Sequence, residues 1–292
     1  MKNVTSSMFL QLEYQLLRLR YPITNVLDRR KTSELLASNT NLSVVRYGDG
    51  ELGQILNKDN IGFQSYDYVL SRRLREILTS EYDPNILVCI PDLFMTAKHL
   101  KKKPQDYWIR WIIRNRAALY DILPSYTMGD SLVSRLYLPW VDSSQDMDIV
   151  KNLKKTWKNK SVTIVEGDKT RWGVGNDLLD DAQSVRRILC PSENAYSYYD
   201  EIFDSCIKYA AETDIFILAL GPTATVLGFD LAKNGKRALD LGHFDLQYEY
   251  LRNQSVERAK ISGKYNNEIA DTDVTECLNK EYLTAIVEKI GL

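Results

Sequence analysis

Six runs of strand length punctuate this chain, and several are apolar at every position, not at every second one. They are "LSVVRY" (42–47), "NILVCIP" (85–91), "SVTIVEG" (161–167), "RRILCP" (186–191), "DIFILALG" (214–221) and "RALDLG" (237–242). A strand with one wet face alternates polar and apolar residues. A continuously apolar strand has both faces covered, which is the condition of a parallel sheet between helical layers. The stretches between the runs supply those layers. In "NAYSYYDEIFDSCIKYAAE", Ala195, Tyr199, Ile202, Phe203, Cys206, Ile207 and Ala210 fall on one helical face. "PTATVLGFDLAKNG" opens on Pro222 and closes near Gly235, as a helix should. The expectation is an α/β fold with a mostly parallel sheet flanked by helices. It forms a single domain over 1–292, with an N-terminal helix at about 1–30 and a C-terminal helix at about 274–290. Residues 92–150 break the alternation; rich in Trp, Tyr, Arg and Lys, they read as a helical and loop insertion able to shape an acceptor site.

Charge removes some function classes. With 38 Lys+Arg against 39 Asp+Glu, the net charge is −1, so no basic surface calls for nucleic acid. Cys89, Cys190, Cys206 and Cys277 are far apart and form no C-x-x-C pair, which reads as buried thiols in a reducing compartment. No signal peptide is recognisable, and the longest apolar stretch, "IFILAL", is a strand's length. The expected location is the cytoplasm. A weak peripheral membrane contact through "FLQLEYQLLRLRYPI" is the alternative to an ordinary packed helix there, and a homodimer is compatible with everything above.

Ligands of open α/β sheets bind beyond the carboxyl ends of the strands, so the segments that follow each strand carry the chemistry. After the first comes "RYGDGE". Asp49 and Glu51 offer two hard oxygens to a divalent cation, or else form an acidic turn that caps the next helix. After the third comes "VEGDKTRWGVGNDLL". There Lys169 and Arg171 can bind a phosphate or carboxylate or simply be solvated, and Gly173 and Gly175 lack the third glycine of a dinucleotide fingerprint. "LGPTATVLGFDL" opens a helix that by itself reads as a plain capped one; its N-terminus would suit a diphosphate but has no P-loop lysine. "LGHFDLQYEY" holds His243, Asp245 and Glu249, candidates for a general base, a metal ligand or a hydroxyl clamp. The other histidine, His99, sits beside a lysine run and is expected to be solvated. The joint placement implies an anionic, nucleotide-like ligand with a metal.

With these residues laid out, the chain resembles the GT-D-type glycosyltransferase family, a former domain of unknown function from bacterial glycosylation loci. The resemblance runs over roughly 30–270 through "RYGDGE", "IGFQ", "CIPD", "VEGDKTRWGVGNDL", "RILCPSENAYSYYDEI", "LGPTATVLGFDLAKNG" and "ALDLGHFDLQYEY". It implies a Rossmann-like sheet and metal-dependent transfer of a sugar, glucose above others, from a UDP-sugar to a glycan or glycoprotein acceptor. It maps the family's Asp-x-Glu metal motif onto Asp49 and Glu51, with Mn²⁺ or Mg²⁺ as the cation. Arg46, Gly48, Glu166, Arg171, Gly173, Asn176, Gly221, Thr223 and Thr225 are the expected donor contacts, and His243, Asp245 or Glu249 the catalytic base or acceptor clamp. One departure is visible: Gln247 stands where the family more often has an acid, and Tyr250 where it has tryptophan. Two other classes stay open, a non-catalytic nucleotide-sugar-binding subunit and a phosphoryl-transfer enzyme.

Overall fold

The apolar runs become neighbours in one sheet. A computed structural model describes residues 2–266, 269, 274 and 276–292, the first seven of these as backbone only. The strands are β1 (Ser43–Arg46), β2 (Ile86–Ile90), β3 (Gly129–Asp130), β4 (Ser161–Gly167), β5 (Ser184–Cys190), β6 (Ile215–Ala219), β7 (Ala238–Asp240) and β8 (Ile286–Lys289). Their order is β3-β2-β1-β7-β6-β4-β5-β8, and every pairing is parallel. Burial explains the pattern. Val44, Ile164, Ile215 and Ile217 enter one hydrophobic cluster, while Val45, Val165, Phe216 and Leu218 enter clusters on the opposite face. No strand position between them meets water, so none needed to be polar.

The helices are α1 (Lys2–Arg20), α2 (Arg29–Ser38), α3 (Asp49–Asn57), α4 (Tyr68–Leu78), α5 (Lys102–Tyr120), α6 (Asp146–Trp157), α7 (Tyr199–Lys208), α8 (Pro222–Lys233), α9 (Phe244–Arg252) and α10 (Lys280–Ala285). α8 lies closest to the sheet. At Gly228 a Cβ would stand only 3.3 Å from Val45 Cγ1. The seam beneath α8, between β1 and β7, carries a single register pair, Val44↔Leu239. It divides the sheet into a β3-β2-β1 half and a β7-β6-β4-β5-β8 half, the kind of reversal point at which α/β folds bind ligands.

Three expectations change. The N-terminal helix ends at Arg20, because Pro22 follows and Asp28 then caps a separate helix by accepting from Lys31 N–H at 2.8 Å. The C-terminal helix shrinks to six residues and gives way to β8, which pairs with β5. Its apparent apolar face does not exist, since Leu278 is 81% exposed, whereas Ile290 and Val287 pack beneath the sheet. Positions 1 and 275, which those expected helices include, lie outside the described residues. The insertion at 92–150 is helical as expected and also adds β3 to the sheet edge. There a Cβ at Gly129 would fall 2.5 Å from Cys89 Sγ.

Along α1, Phe9, Leu12, Leu16 and Leu19 form an exposed stripe, while Tyr14 on the other side is buried and donates to Leu93 O at 2.7 Å. Among the described residues, no helix is long and apolar enough to cross a membrane.

Candidate active site

The carboxyl ends of β1, β4, β5, β6 and β7 open into one cleft of about 920 Å³. Its floor is an ion pair across the seam. Arg46 ends β1 and Asp240 ends β7. The guanidinium donates to Asp240 O (2.6 Å), Asp240 Oδ1 (2.9 Å), Ser134 Oγ (2.7 Å) and Ser131 O (3.1 Å). Arginine's planar fork meets all four acceptors at once, which lysine cannot do. Burial pushes the Asp240 carboxyl up, against the pull of Arg46. Gly242, at a φ of +51°, leaves room for the guanidinium, since a Cβ there would lie 2.7 Å from its Nη2. The floor residue that sequence reasoning missed is Asp240. Its signal was an acid at the end of an otherwise apolar strand.

Asp49 and Glu51 occupy the first turn of α3 and both line the cleft. Glu51 folds back to accept from Gly48 N–H at 2.8 Å, so it also serves as the helix cap. Burial pushes its carboxyl up to about 7. Asp49 accepts from the Tyr107 hydroxyl, reaching across from α5. Burial, and then Asp49 itself, push that phenol up and keep it a donor. Among the described residues no group of three or more His, Cys, Asp or Glu side chains converges as a metal site. Two carboxylates are the donor set of a Mg²⁺ or Mn²⁺ site that is completed by water and substrate phosphate oxygens, not of a closed protein cage. The residues present fit such a cation.

Gly221 and His243 also line the cleft, at the starts of α8 and α9. At the second position of α8, Thr223 is fully buried, and its hydroxyl has no hydrogen-bond partner among the described residues. Thr225 is equally buried and donates to Arg46 O at 2.9 Å, tying α8 to the end of β1. Neither threonine lines the cleft, so the expectation that Thr223 and Thr225 touch the donor is corrected: both serve to seat α8 on the sheet.

The remaining expected residues form a separate, sealed block. Glu166 is fully buried between Arg187 Nη1 (2.5 Å) and Trp172 N–H (2.6 Å). Asp245 is fully buried 2.9 Å from Lys264 Nζ, which lies 3.7 Å from Glu249. Asn176 donates to Glu249 Oε1 at 2.7 Å, and Gly173 N–H donates to Asp245 at 3.4 Å. Arg171, at a φ of +51°, donates to Gly263 O at 2.7 Å. None of these side chains lines the cleft. The expectation that Glu166, Arg171, Gly173 and Asn176 touch the donor, and that Asp245 or Glu249 is a base, is therefore corrected. Lys264 pairs with Asp245 and reaches towards Glu249, two acids that share one face of α9 at i and i+4, and His243 stands at the helix's cap, off that face. Gln247, by contrast, lines the cleft. His99 is not simply solvated either: its ring packs 5.2 Å from Trp140, with Nε2 3.3 Å from Asp92.

Around this floor the walls come from elsewhere in the chain. Tyr107, Trp108 and Trp140 of the insertion line the cleft, as do Phe63, Ser192 and Tyr265.

A family model described as "Glycosyltransferase GT-D fold" matches residues 44–269. The chain is 37% identical over 250 residues to the probable glycosyl transferase Gly of Streptococcus gordonii, covering 85% of this chain and 36% of that protein. It is 34% identical over 251 residues to the glycosyltransferase GlyD of Streptococcus pneumoniae, covering 86% and 31%. The chain thus spans about a third of the length of these curated relatives. A solved domain described as the highly conserved domain of unknown function 1792, with a distinct glycosyltransferase fold, superposes with a TM-score of 0.88 at 33% identity. That match covers 95% of this chain and 100% of the solved one. A glycosyltransferase of the same kind from Streptococcus sanguinis superposes with a TM-score of 0.85 at 34% identity, covering 91% and 99%. The chain belongs to the GT-D glycosyltransferase family.

Proposed function

We propose that this glycosyltransferase moves a hexose, glucose in the first instance, from a UDP-sugar to a hydroxyl of a glycan or glycoprotein acceptor, with Mn²⁺ or Mg²⁺ bound at Asp49 and Glu51. The observation that carries the reading is that those two cleft-facing carboxylates share one cleft with Leu220 and Gly221, the residues that lead into α8. Bound there, the cation supplies charge neutralisation for the departing diphosphate.

The chain's own groups do the rest. The Gly221 N–H, at the cap of α8 where it lines the cleft, would offer a donor to a phosphate oxygen. Arg46, locked on Asp240 and Ser134, fixes the spacing between the β1 and β7 loops. His243, at the cleft surface, is the side chain placed to take the proton of the acceptor hydroxyl. Tyr107 holds Asp49 from the insertion side. The buried thiols at Cys89, Cys190 and Cys206 suit a reducing compartment, in keeping with action in the cytoplasm.

UDP release by the purified chain over a panel of UDP-sugars, with and without Mn²⁺, tests the reading. Release from one sugar only in the presence of metal is expected. Metal-independent release would remove the cation from the proposal. Tight UDP binding with no release, even with candidate acceptors added, would make the chain a binding subunit.

A further inference from the structure

The stretch "IGFQ" (61–64) has no part in the assignments above, yet three loops of the cleft are built around it. Ile61 and Gln64 exchange backbone hydrogen bonds of 2.8 and 3.0 Å, which close a tight turn. The turn is keyed to its neighbours at two glycines. A Cβ at Gly50, between the two metal carboxylates, would fall 2.8 Å from Ile61 Cδ1. A Cβ at Gly221, where α8 begins, would fall 2.2 Å from the Phe63 ring. The third attachment is Asn194, in the left-handed region at a φ of +50°. Its N–H donates to Phe63 O (2.9 Å), and its side-chain oxygen accepts from Ser65 N–H (2.8 Å) and Gln64 Nε2 (3.4 Å).

Surface loops are ordinarily free to move. This one is pinned to the metal turn, to the N-terminus of α8 and to the loop after β5. What the pinning holds is an aromatic ring, half-buried, with its free part in the cleft. A rigid ring binds a flat partner with little loss of conformational entropy. Thr170, Ser192 and Tyr265 line the same end and bring hydroxyls suited to the polar edge of such a partner. Of the insertion aromatics, Tyr107 donates to Asp49 and packs 5.9 Å from Trp108.

We infer that Phe63 is the stacking surface for the donor's nucleobase, and that the Ile61–Gln64 turn sets its distance from the metal carboxylates. The base then lies at the Phe63 end, the diphosphate crosses the start of α8, and the transferred sugar points towards Tyr107. This rests on the nucleotide-sugar reading above.

The test compares two probes, UDP and inorganic pyrophosphate, titrated calorimetrically into the full chain at fixed Mn²⁺. Phe63→Leu keeps an apolar contact with Gly221 and removes the ring. Phe63→Trp keeps a ring. Loss of a base–aromatic stack weakens UDP by roughly tenfold or more in Phe63→Leu. Pyrophosphate affinity stays level, and Phe63→Trp retains UDP binding. Native-like UDP affinity in Phe63→Leu overturns the inference, as does an equal loss for both probes, which would assign Phe63 to the phosphate end. Failure of the native chain to bind UDP would overturn the donor reading and this inference with it.

Discussion

Two groups of charges sit at the carboxyl edge of the same sheet, and they are built on opposite principles. Behind β4 and β5, Glu166, Arg187, Asp245 and Lys264 are paired and shut away from water. At the β1–β7 seam, Arg46, Asp240, Asp49 and Glu51 are held as firmly but face an open cleft. A buried pair stands or falls with its partner, because either charge alone in a dry site is costly. A cleft carboxylate can exchange its present partner for a ligand. In the sequence both groups look alike, as acids and bases after strands. Only their surroundings separate scaffold from chemistry.

The sharpest way to break this comparison is to unpair the sealed block. Lys264→Ala leaves Asp245 buried beside no cation and is expected to cost about 3–5 kcal/mol of stability in chemical denaturation. A loss below about 1 kcal/mol would mean that water reaches the block. Next comes Asp49→Ala, where the opposite pattern is expected: transfer falls by roughly 10²–10³-fold, the scale of removing one charge-stabilising group. Circular dichroism and the melting temperature should stay close to native. Persistent metal-dependent UDP release in that variant would remove Asp49 from the site. Arg46→Lys lies between the two regimes. It keeps the charge and loses the fork that reaches Asp240 and Ser134 together, so a loss of about 1–3 kcal/mol is expected in denaturation. A weaker UDP affinity should accompany it as the seam loosens.

The smallest effect concerns pH. Asp177 is held at about 2, first by the hydrogen bond from Lys154 and also by that from Tyr248. Its folded value lies below its unfolded one, so its contribution is full above about pH 4 and is lost as pH falls towards 2. The carboxylate is substantially exposed, so Asp177→Asn should cost well under 1 kcal/mol at pH 7 and nothing measurable at pH 2. Parallel stability curves for native and variant over that window would show the pair to be inert.

The fold was legible because unbroken apolar runs have few alternatives. β3 was not, since a strand of two residues has no pattern to read. β8 was not, because Leu283, Ile286 and Val287 fit a helix and a strand equally well, and only pairing with β5 decides between them. At the site, Asp49 and Glu51 could be found by their place after a strand. Asp245 and Glu249 misled, because the lysine beside them arrives from a later segment with no periodic link to α9. Phe63 stood inside a motif that could be quoted but not interpreted, since its partners Asn194 and Gly221, and Gly50 against Ile61, are scattered along the chain.

The seam between β1 and β7 has a consequence for how the protein is made. Arg46 and Asp240 are 194 residues apart, so the floor of the cleft closes one of the longest loops in the molecule. During synthesis Arg46 emerges early and waits, without Asp240, until most of the domain has left the ribosome. Such high contact order makes assembly of the site a late and slow event. A chain interrupted before β7 would therefore carry Asp49 and Glu51 and still lack the floor of the cleft they line.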